Sequence, residues 1–486
     1  MSRTPRVAII GAGMSGIGMA AKLRMAGIDT FDLFEQWDDL GGTWHANTYP
    51  GLSCDVPSRY YQYTFAPNPD WSSLFSPGRE IWEYLDRVAT QYRVRERTSF
   101  STRVTECEWE DGAWRLRTDK GHDERYDFVI TAAGGLVYTR KPDLPGMETF
   151  AGAAFHSAEW DHSVPLSGKR IAVIGTGSTG VQITRALAPI AGTFELFQRT
   201  AQWIAPLANR RYSRVSRWAH RRFPVLNRWS YRFWQKTMEH TFARAVVQPG
   251  WQRRLITISC HLHLRTIKDP DLRRRFTPPD LPMCKRMVGA TGFYELFELP
   301  HVALVDTPID HVQERGIVTS DGVLHELDVI VLATGFDAHA LVRPLELIGP
   351  GGVRLSEVWS EREPYGYRSV ALPGFPNVLM LIGPHSPFGN QSLFAISETQ
   401  QDFAMGIIER WRRGEVETMM PTREATDRFN EALRAAMPST IWTTGCNSWY
   451  IGKDGLPHAW PWTPEYHREL LRAPDPADWD VQRAGV

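Results

Sequence analysis

Two stretches of the chain share one pattern. Residues 6–16 and 170–180 each run through a short apolar strand and then glycines spaced G-x-G-x-x-G. In the first, the strand leads into Gly11, Gly13 and Gly16, and Ile17, Ala20 and Leu23 mark an apolar helix face. In the second, it leads into Gly175, Gly177 and Gly180, with Val181, Leu187 and Ile190 on the helix face. Each helix gives way to another apolar strand, at 30–35 and at 193–198. The strand–helix–strand unit therefore occurs twice. That spacing predicts an α/β fold with two Rossmann-like doubly wound domains, not a solenoid.

Two more apolar strands ending at glycine turns, 126–134 and 327–336, fall at matching places after the two units. They suggest a discontinuous flavin domain, 1–148 plus 330–486 with the C-terminal segment. A nicotinamide domain, 149–329, is inserted between its halves. From about 207 to 280 the pattern changes, and arginines alternate with aromatics such as Trp218, Trp229 and Trp234. A membrane-surface or nucleic-acid patch is one reading. A helical insertion with a solvated basic face is the one expected, since charge runs usually solvate.

Composition narrows the classes. The 486 residues exceed what one core supports, and 42% hydrophobic with 23% charged residues is ordinary for a globular chain. Lys+Arg and Asp+Glu both number 55, so no overall charge draws the chain to nucleic acid. Five cysteines, an odd number without a Cys-x-x-Cys pair, argue against a disulfide framework or a metal cage and fit a reducing cytoplasm. No secretion signal or membrane-spanning apolar run is expected. The Asn390–Ser392 glycosylation pattern therefore carries no weight, and oligomeric state stays open.

The glycines have a physical job. Gly11 permits the tight turn, Gly13 lets backbone approach a pyrophosphate, and Gly16 lets helix pack on strand. The helix N-terminus then offers free N–H groups to the phosphates, with Met14 and Ser15 in the first loop and Thr176, Ser178, Thr179 and Gln182 in the second. The second strands end differently. Glu35, followed by Gln36, is placed to accept from both ribose hydroxyls of an adenosine, which suits FAD or NAD. The aligned position in the second unit is Gln198, followed by Arg199 and Thr200. A guanidinium there can fork onto a 2′-phosphate, so NADPH is expected over NADH.

Three further motifs resemble the Baeyer–Villiger type of class B flavin monooxygenases. Phe150, Gly152, His156, Trp160 and Asp161 fit that family's F-x-G-x-x-x-H-x-x-x-W-[P/D] fingerprint just before the second glycine loop. Gly42, Thr43, Trp44, Tyr49, Pro50, Gly51 and Asp55 fit its G-x-W-x-x-x-x-[Y/F]-P-G-x-x-x-D segment. Lys285-Arg286 is similar to its Lys–Arg pair, although Met287 stands where the family often has Pro. Trp449, ahead of Gly452 and Asp454, is similar to a segment closing over nicotinamide, with Asp454 in place of Asn.

The resemblance implies FAD and NADPH as cofactors, and O2 and a small ketone as substrates. It implies a flavin peroxide that inserts one oxygen beside the carbonyl to give an ester or lactone. Tyr61 and Val104 complete the implied flavin contacts, and Lys285 and Trp449 the implied NADP contacts. Arg286 is the implied catalytic cation, a charge that arginine cannot lose, and Asp55 its partner. His156 reads as a linker residue or a satisfied buried histidine, not a general base. An S- or N-oxygenating flavin monooxygenase is the main alternative. A flavin disulfide reductase would need a cysteine pair that is missing, and an NADPH sensor would not need Asp55 or Arg286. The substrate pocket is expected from scattered loops, including 383–388.

Overall fold

The apolar runs become strands buried on both faces, as a parallel sheet between helices requires. The computed structural model describes residues 3–483, apart from 338–339, 361–362, 388–390, 447, 449–450, 453 and 473–474. One five-stranded sheet has the spatial order Val378–Met380, Phe128–Thr131, Val7–Ile10, Phe31–Phe34 and Thr98–Ser99, all parallel. The other has the order Val302–Val305, Thr193–Phe197, Arg170–Ile174, Val329–Leu332 and Ala153–His156, also all parallel. Successive side chains alternate between layers. Val7 and Ile9 enter one core while Ala8 and Ile10 enter another, and Ile171 and Val173 part in the same way from Ala172.

The strand Val329–Leu332 sits in the second sheet, beside Ile171–Ile174. A boundary after residue 329 would cut through it, so the second sheet extends further than the sequence pattern suggested. Its place matches that of Phe128–Thr131 in the first sheet, beside Val7–Ile10. The two glycine turns repeat the likeness at atomic scale. Gly11 has φ +106° and a Cβ there would lie 2.5 Å from the Ala132 carbonyl oxygen; Gly175 has φ +119° and the corresponding distance to Ala333 is 2.4 Å. Both turns therefore demand glycine.

Between 207 and 280 the chain is helical, through Arg214–Arg222, Val225–Met238, Trp251–Leu264 and Pro270–Arg275. A π-helical turn, Glu239–Ala243, links the second of these to Arg244–Val247. A four-stranded sheet of Glu346–Ile348, Val104–Glu110, Ala113–Thr118 and Asp123–Tyr126 packs on the first five-stranded sheet.

The structure corrects the cysteine reading: Cys284 and Cys446 form a disulfide, 162 residues apart in sequence. The C-terminal segment folds back onto the second unit, with Ile441 and Trp442 in the same core as both cysteines. Count and spacing could not show this, because only tertiary packing brings the two sulfurs together. Cys54, Cys107 and Cys260 are buried thiols.

The fingerprint strand Ala153–His156 closes the edge of the second sheet. Gly152 precedes it, and a Cβ there would lie 2.4 Å from the Asp328 carbonyl oxygen and 2.5 Å from the Phe150 ring. Asp328 is itself held by Arg170, at 2.8 Å to one guanidinium nitrogen. Gly152→Ala should cost about 1–3 kcal/mol, the usual penalty of overpacking, in a denaturant-unfolding series; a variant as stable as wild type would refute the packing role. Alkylating unfolded, unreduced protein and mapping peptides should label Cys54, Cys107 and Cys260 and recover Cys284 joined to Cys446. Labelling of all five would remove the link.

Candidate active site and cofactor clefts

A cavity of about 330 Å³ runs from the first glycine loop to the second unit. Gly11, Gly13, Met14, Ser15, Glu35, Gln36, Gly42, Thr43, Trp44, Asp55, Tyr61 and Val104 all line it. Gly16 does not; it lies under the turn, where a Cβ would stand 1.9 Å from the Gly11 carbonyl oxygen. Gly13 and Gly42 face each other closely. A Cβ on Gly42, whose φ is +56°, would come within 2.8 Å of the Gly13 Cα. Side chains at either place would fill the gap between the two backbones.

Glu35 is buried at the end of its strand. Its carboxylate accepts from the Ala12 N–H at 2.7 Å and the Trp37 N–H at 3.0 Å. Burial pushes its pKa up, and the N–H groups of Trp37, Ala12 and Gln36 oppose that. A carboxylate has about four acceptor sites, so two remain for further donors. The Trp44 and Tyr61 rings meet edge-on at 5.8 Å further along the wall, and Tyr61 packs in the same way on Phe394 at 4.7 Å. The glycine gap and the carboxylate fit an extended flavin dinucleotide.

The loop 49–55 joins the two units. A Cβ on Gly51, φ +84°, would lie 2.5 Å from the Gln182 carbonyl oxygen, so loop and helix Ser178–Leu187 touch backbone to backbone. The Tyr49 hydroxyl donates to Gln182 Oε1 at 2.9 Å, and Gln182 Nε2 donates to the Ser53 carbonyl at 2.9 Å. Burial pushes the Tyr49 pKa up to about 12, so its phenol stays a donor at neutral pH. The loop ends at Asp55, whose carboxylate accepts from Arg286 at 2.9 Å. Both side chains are partly open to the cavity, 22% and 34% exposed. The Gln202 amide holds the Arg286 backbone carbonyl at 2.7 Å.

From the second glycine-loop unit, Ser178, Thr179 and Gln182 reach the cavity. Gly175, Thr176, Gly177 and Gly180 form the turn outside it. A Cβ on Gly177 would meet nothing within 4 Å, whereas one on Gly180 would collide with the Gly175 carbonyl oxygen at 1.9 Å. The Gly177 side of the turn is thus open to a ligand and the Gly180 side is sealed by packing. Thr176 Oγ1 donates to the Thr200 carbonyl at 3.0 Å, which brings the strand end carrying Arg199 and Thr200, both exposed, against the glycine loop. Lys285 pairs with Asp280 at 2.8 Å and does not face the cavity. Trp449 lies outside the described residues, as do Phe388 and Asn390.

His156 is completely buried and Nδ1 accepts from the Ala158 N–H at 3.1 Å, capping the turn Ser157–Glu159. Burial lowers its pKa. It packs edge-on to Phe336 at 5.8 Å, and Trp160 packs edge-on to Phe155 at 5.0 Å. Asp161 accepts from the Ser163 N–H at 2.8 Å. None of the fingerprint residues lines the cavity; they shape the crossover between the two sheets.

Sequence reasoning missed a histidine pair. His385, on the expected 383–388 loop, and His458 both line the cavity and their rings lie 5.0 Å apart. Burial, helped by the charges of His458 and Arg434, pushes the His385 pKa down to about 3, so its ring is neutral. His458 meets Glu363 at 3.5 Å, and with Asp454 these place ligand-type atoms within 4.8 Å of one another. Only the loop around His385 had a sequence signal, its Gly-Pro-His-Ser-Pro turn.

Known proteins are similar over the whole length. Residues 4–341 match the family model described as flavin-binding monooxygenase-like. An uncharacterised monooxygenase of Mycobacterium tuberculosis is 51% identical over 481 residues, 99% of this chain and 97% of that one. A Baeyer–Villiger monooxygenase of Pseudomonas aeruginosa is 34% identical over 93% of this chain and 86% of that one. The closed crystal structure of cyclohexanone monooxygenase superposes with a TM-score of 0.87 at 29% identity, covering both chains fully. With its paired dinucleotide folds and its cavity between them, the chain belongs to the flavin-binding monooxygenase-like family, in its Baeyer–Villiger branch.

Proposed function

We propose that this enzyme inserts one oxygen atom of O2 between the carbonyl carbon and a neighbouring carbon of a ketone. Ketone, O2, NADPH and a proton become an ester or lactone, NADP+ and water. The observation that carries this reading is the Arg286–Asp55 pair, which opens onto the cavity where the two glycine-loop units meet. Bound FAD, reduced by NADPH, supplies the activation of O2.

The chain's own residues do the rest. Gly13, Gly42 and Glu35 hold the flavin dinucleotide by its pyrophosphate and ribose. Ser178, Thr179 and Gln182 face the nicotinamide dinucleotide, with the helix N-terminus aimed at its phosphates. Arg199 is placed beside that loop to take a 2′-phosphate. Lys285 serves the same phosphate by sharing or leaving its ion pair with Asp280. Arg286 presents a fixed positive charge to the cavity. Such a charge favours the anionic form of an oxidant and stabilises the oxyanion that forms when a carbonyl is attacked. Asp55 orients the guanidinium from the opposite unit. It therefore ties the charge to the docking of loop 49–55, and anything that separates the units also moves the cation. His385, held neutral, gives the cavity a polar atom without a competing charge.

Two outcomes test this reading. Arg286→Ala should keep FAD bound and reducible by NADPH while ester formation falls at least about 100-fold, the scale of a lost oxyanion donor. Product mass measured beside NADPH consumption reads both, and near wild-type ester formation would sink the proposal. A thioether supplied with the ketone separates the alternative, since a sulfoxide as main product favours S-oxygenation. Arg199→Ala should lower kcat/KM for NADPH about 10- to 100-fold, the value of a charge-assisted contact, and leave NADH nearly unchanged. An equal fall for both coenzymes would remove Arg199 from phosphate recognition.

A further inference from the structure

The helical segment between the two nucleotide folds does not behave as a merely solvated basic surface. Between Arg210 and Lys268 it carries fourteen Lys and Arg residues and one carboxylate, Glu239, in a chain whose formal net charge is zero. Glu239 is buried and already paired with Arg468. Nothing acidic in this segment neutralises the exposed Arg214, Arg222, Arg228, Arg232, Lys236 and Arg254.

A solvated basic face would tuck its aromatic residues away. Here they point out. On the helix Val225–Met238, Val225, Trp229 and Phe233 follow one another at four-residue spacing, so they form one line along the helix. Trp229 is 73% exposed and Phe233 62%. Arg228 and Arg232 adjoin them in sequence. On Trp251–Leu264, Trp251, Leu255, Ile258 and Leu262 repeat at i, i+4, i+7 and i+11, and each is more than half exposed. Trp218 of the preceding helix is equally open and its ring lies 6.2 Å from Phe223.

The inner sides of the same helices are well anchored. Tyr231 packs edge-on against Tyr60 at 5.2 Å, and Trp234 packs on the flavin-side core. Cys260 and Leu264 enter the core of the second unit. Each outward stripe is therefore a second apolar face on a helix that has already buried a first.

We propose that these helices dock the enzyme on an anionic lipid surface, lying in the headgroup region with Trp229, Phe233 and the Trp251–Leu262 stripe as anchors and the flanking arginines on lipid phosphates. Interfacial helices combine such an apolar line with basic flanks, and long basic side chains reach up to the headgroups while their stems stay apolar. Charge complementarity selects anionic lipid. The aliphatic Leu255, Ile258 and Leu262 offer nothing to a nucleic-acid base, which would need aromatic stacking throughout. A second copy docked through the same face would set like charge against like charge. No helix among the described residues is long and apolar enough to span a membrane, so the contact is peripheral.

Flotation of the FAD-loaded enzyme tests this without any ketone. Vesicles of phosphatidylcholine alone are compared with vesicles in which about a third of the lipid is phosphatidylglycerol. The enzyme should float with the anionic vesicles, remain behind with the neutral ones, and release at about 0.5 M salt, where surface charges are screened. Arg228→Glu/Arg232→Glu should lower the bound fraction about tenfold or more, and Trp229→Ser/Phe233→Ser by a similar factor. Flavin absorbance and NADPH oxidation should stay at wild-type level in both, which establishes folding. Equal binding to both vesicle types, or to neither, would overturn the proposal. So would tight binding of an oligonucleotide with vesicles ignored, or self-association abolished by the Trp229 variant in the absence of vesicle binding. The vesicle comparison on the wild type stands even where a variant fails to fold.

Discussion

The contact on which the site depends is the seating of loop 49–55 on the helix Ser178–Leu187. Gly51 lets the loop backbone reach the Gln182 carbonyl, and Gln182 then bonds both Tyr49 and Ser53. This small patch sets where the first glycine-loop unit meets the second. It also fixes Asp55, which crosses to Arg286 on the other unit. The Arg286 guanidinium is thus positioned by the same few atoms that hold the two folds together. A dinucleotide-binding unit on its own would have neither a closed cavity wall nor an oriented guanidinium.

The duplicated folds were legible because their rules are local. A strand followed by G-x-G-x-x-G constrains a turn whose sterics are settled within a dozen residues, plus one contact to the next strand. Ala132 and Ala333 supply that contact in the two units, with nearly equal distances to Gly11 and Gly175. That the first glycine loop, the end of the second strand and the segment 42–61 lie along one cavity was legible for the same reason. Gly16 shows the limit of such reading: the motif includes it, yet its work is packing and it meets no ligand. The fingerprint from Phe150 to Asp161 behaves alike. It identified the branch of the family, but Gly152 and His156 act through the edge of a sheet and the cap of a turn.

What was not legible depends on chain segments far apart in sequence. Cys284 meets Cys446 because a C-terminal segment returns across the second core, and no spacing rule encodes a return of that length. His385, His458 and Glu363 gather by the same kind of return. Their single-residue contexts look like ordinary loop histidines and an ordinary glutamate. The strand Val329–Leu332 misled in a milder way. Its apolar run announced a parallel strand, but which sheet it joins is settled by pairing, and it pairs with Ile171–Ile174.

Composition hid a further feature by averaging. Equal numbers of acidic and basic residues make the chain neutral as a whole, and a neutral chain has no field to steer it toward an acidic partner. Yet a field depends on where charges sit. The acidic residues are almost excluded from the helices between Arg210 and Lys268, and their balancing charge lies elsewhere on the molecule. Over distances longer than the roughly 8–10 Å Debye length of a physiological solution, each surface acts by its own charge and not by the sum. Exposed tryptophan is costly to leave in water, while the arginines beside it are solvated there and gain further only next to anionic groups. An anionic interface satisfies both at once, and that joint requirement distinguishes these helices from the rest of a surface where most charges are matched.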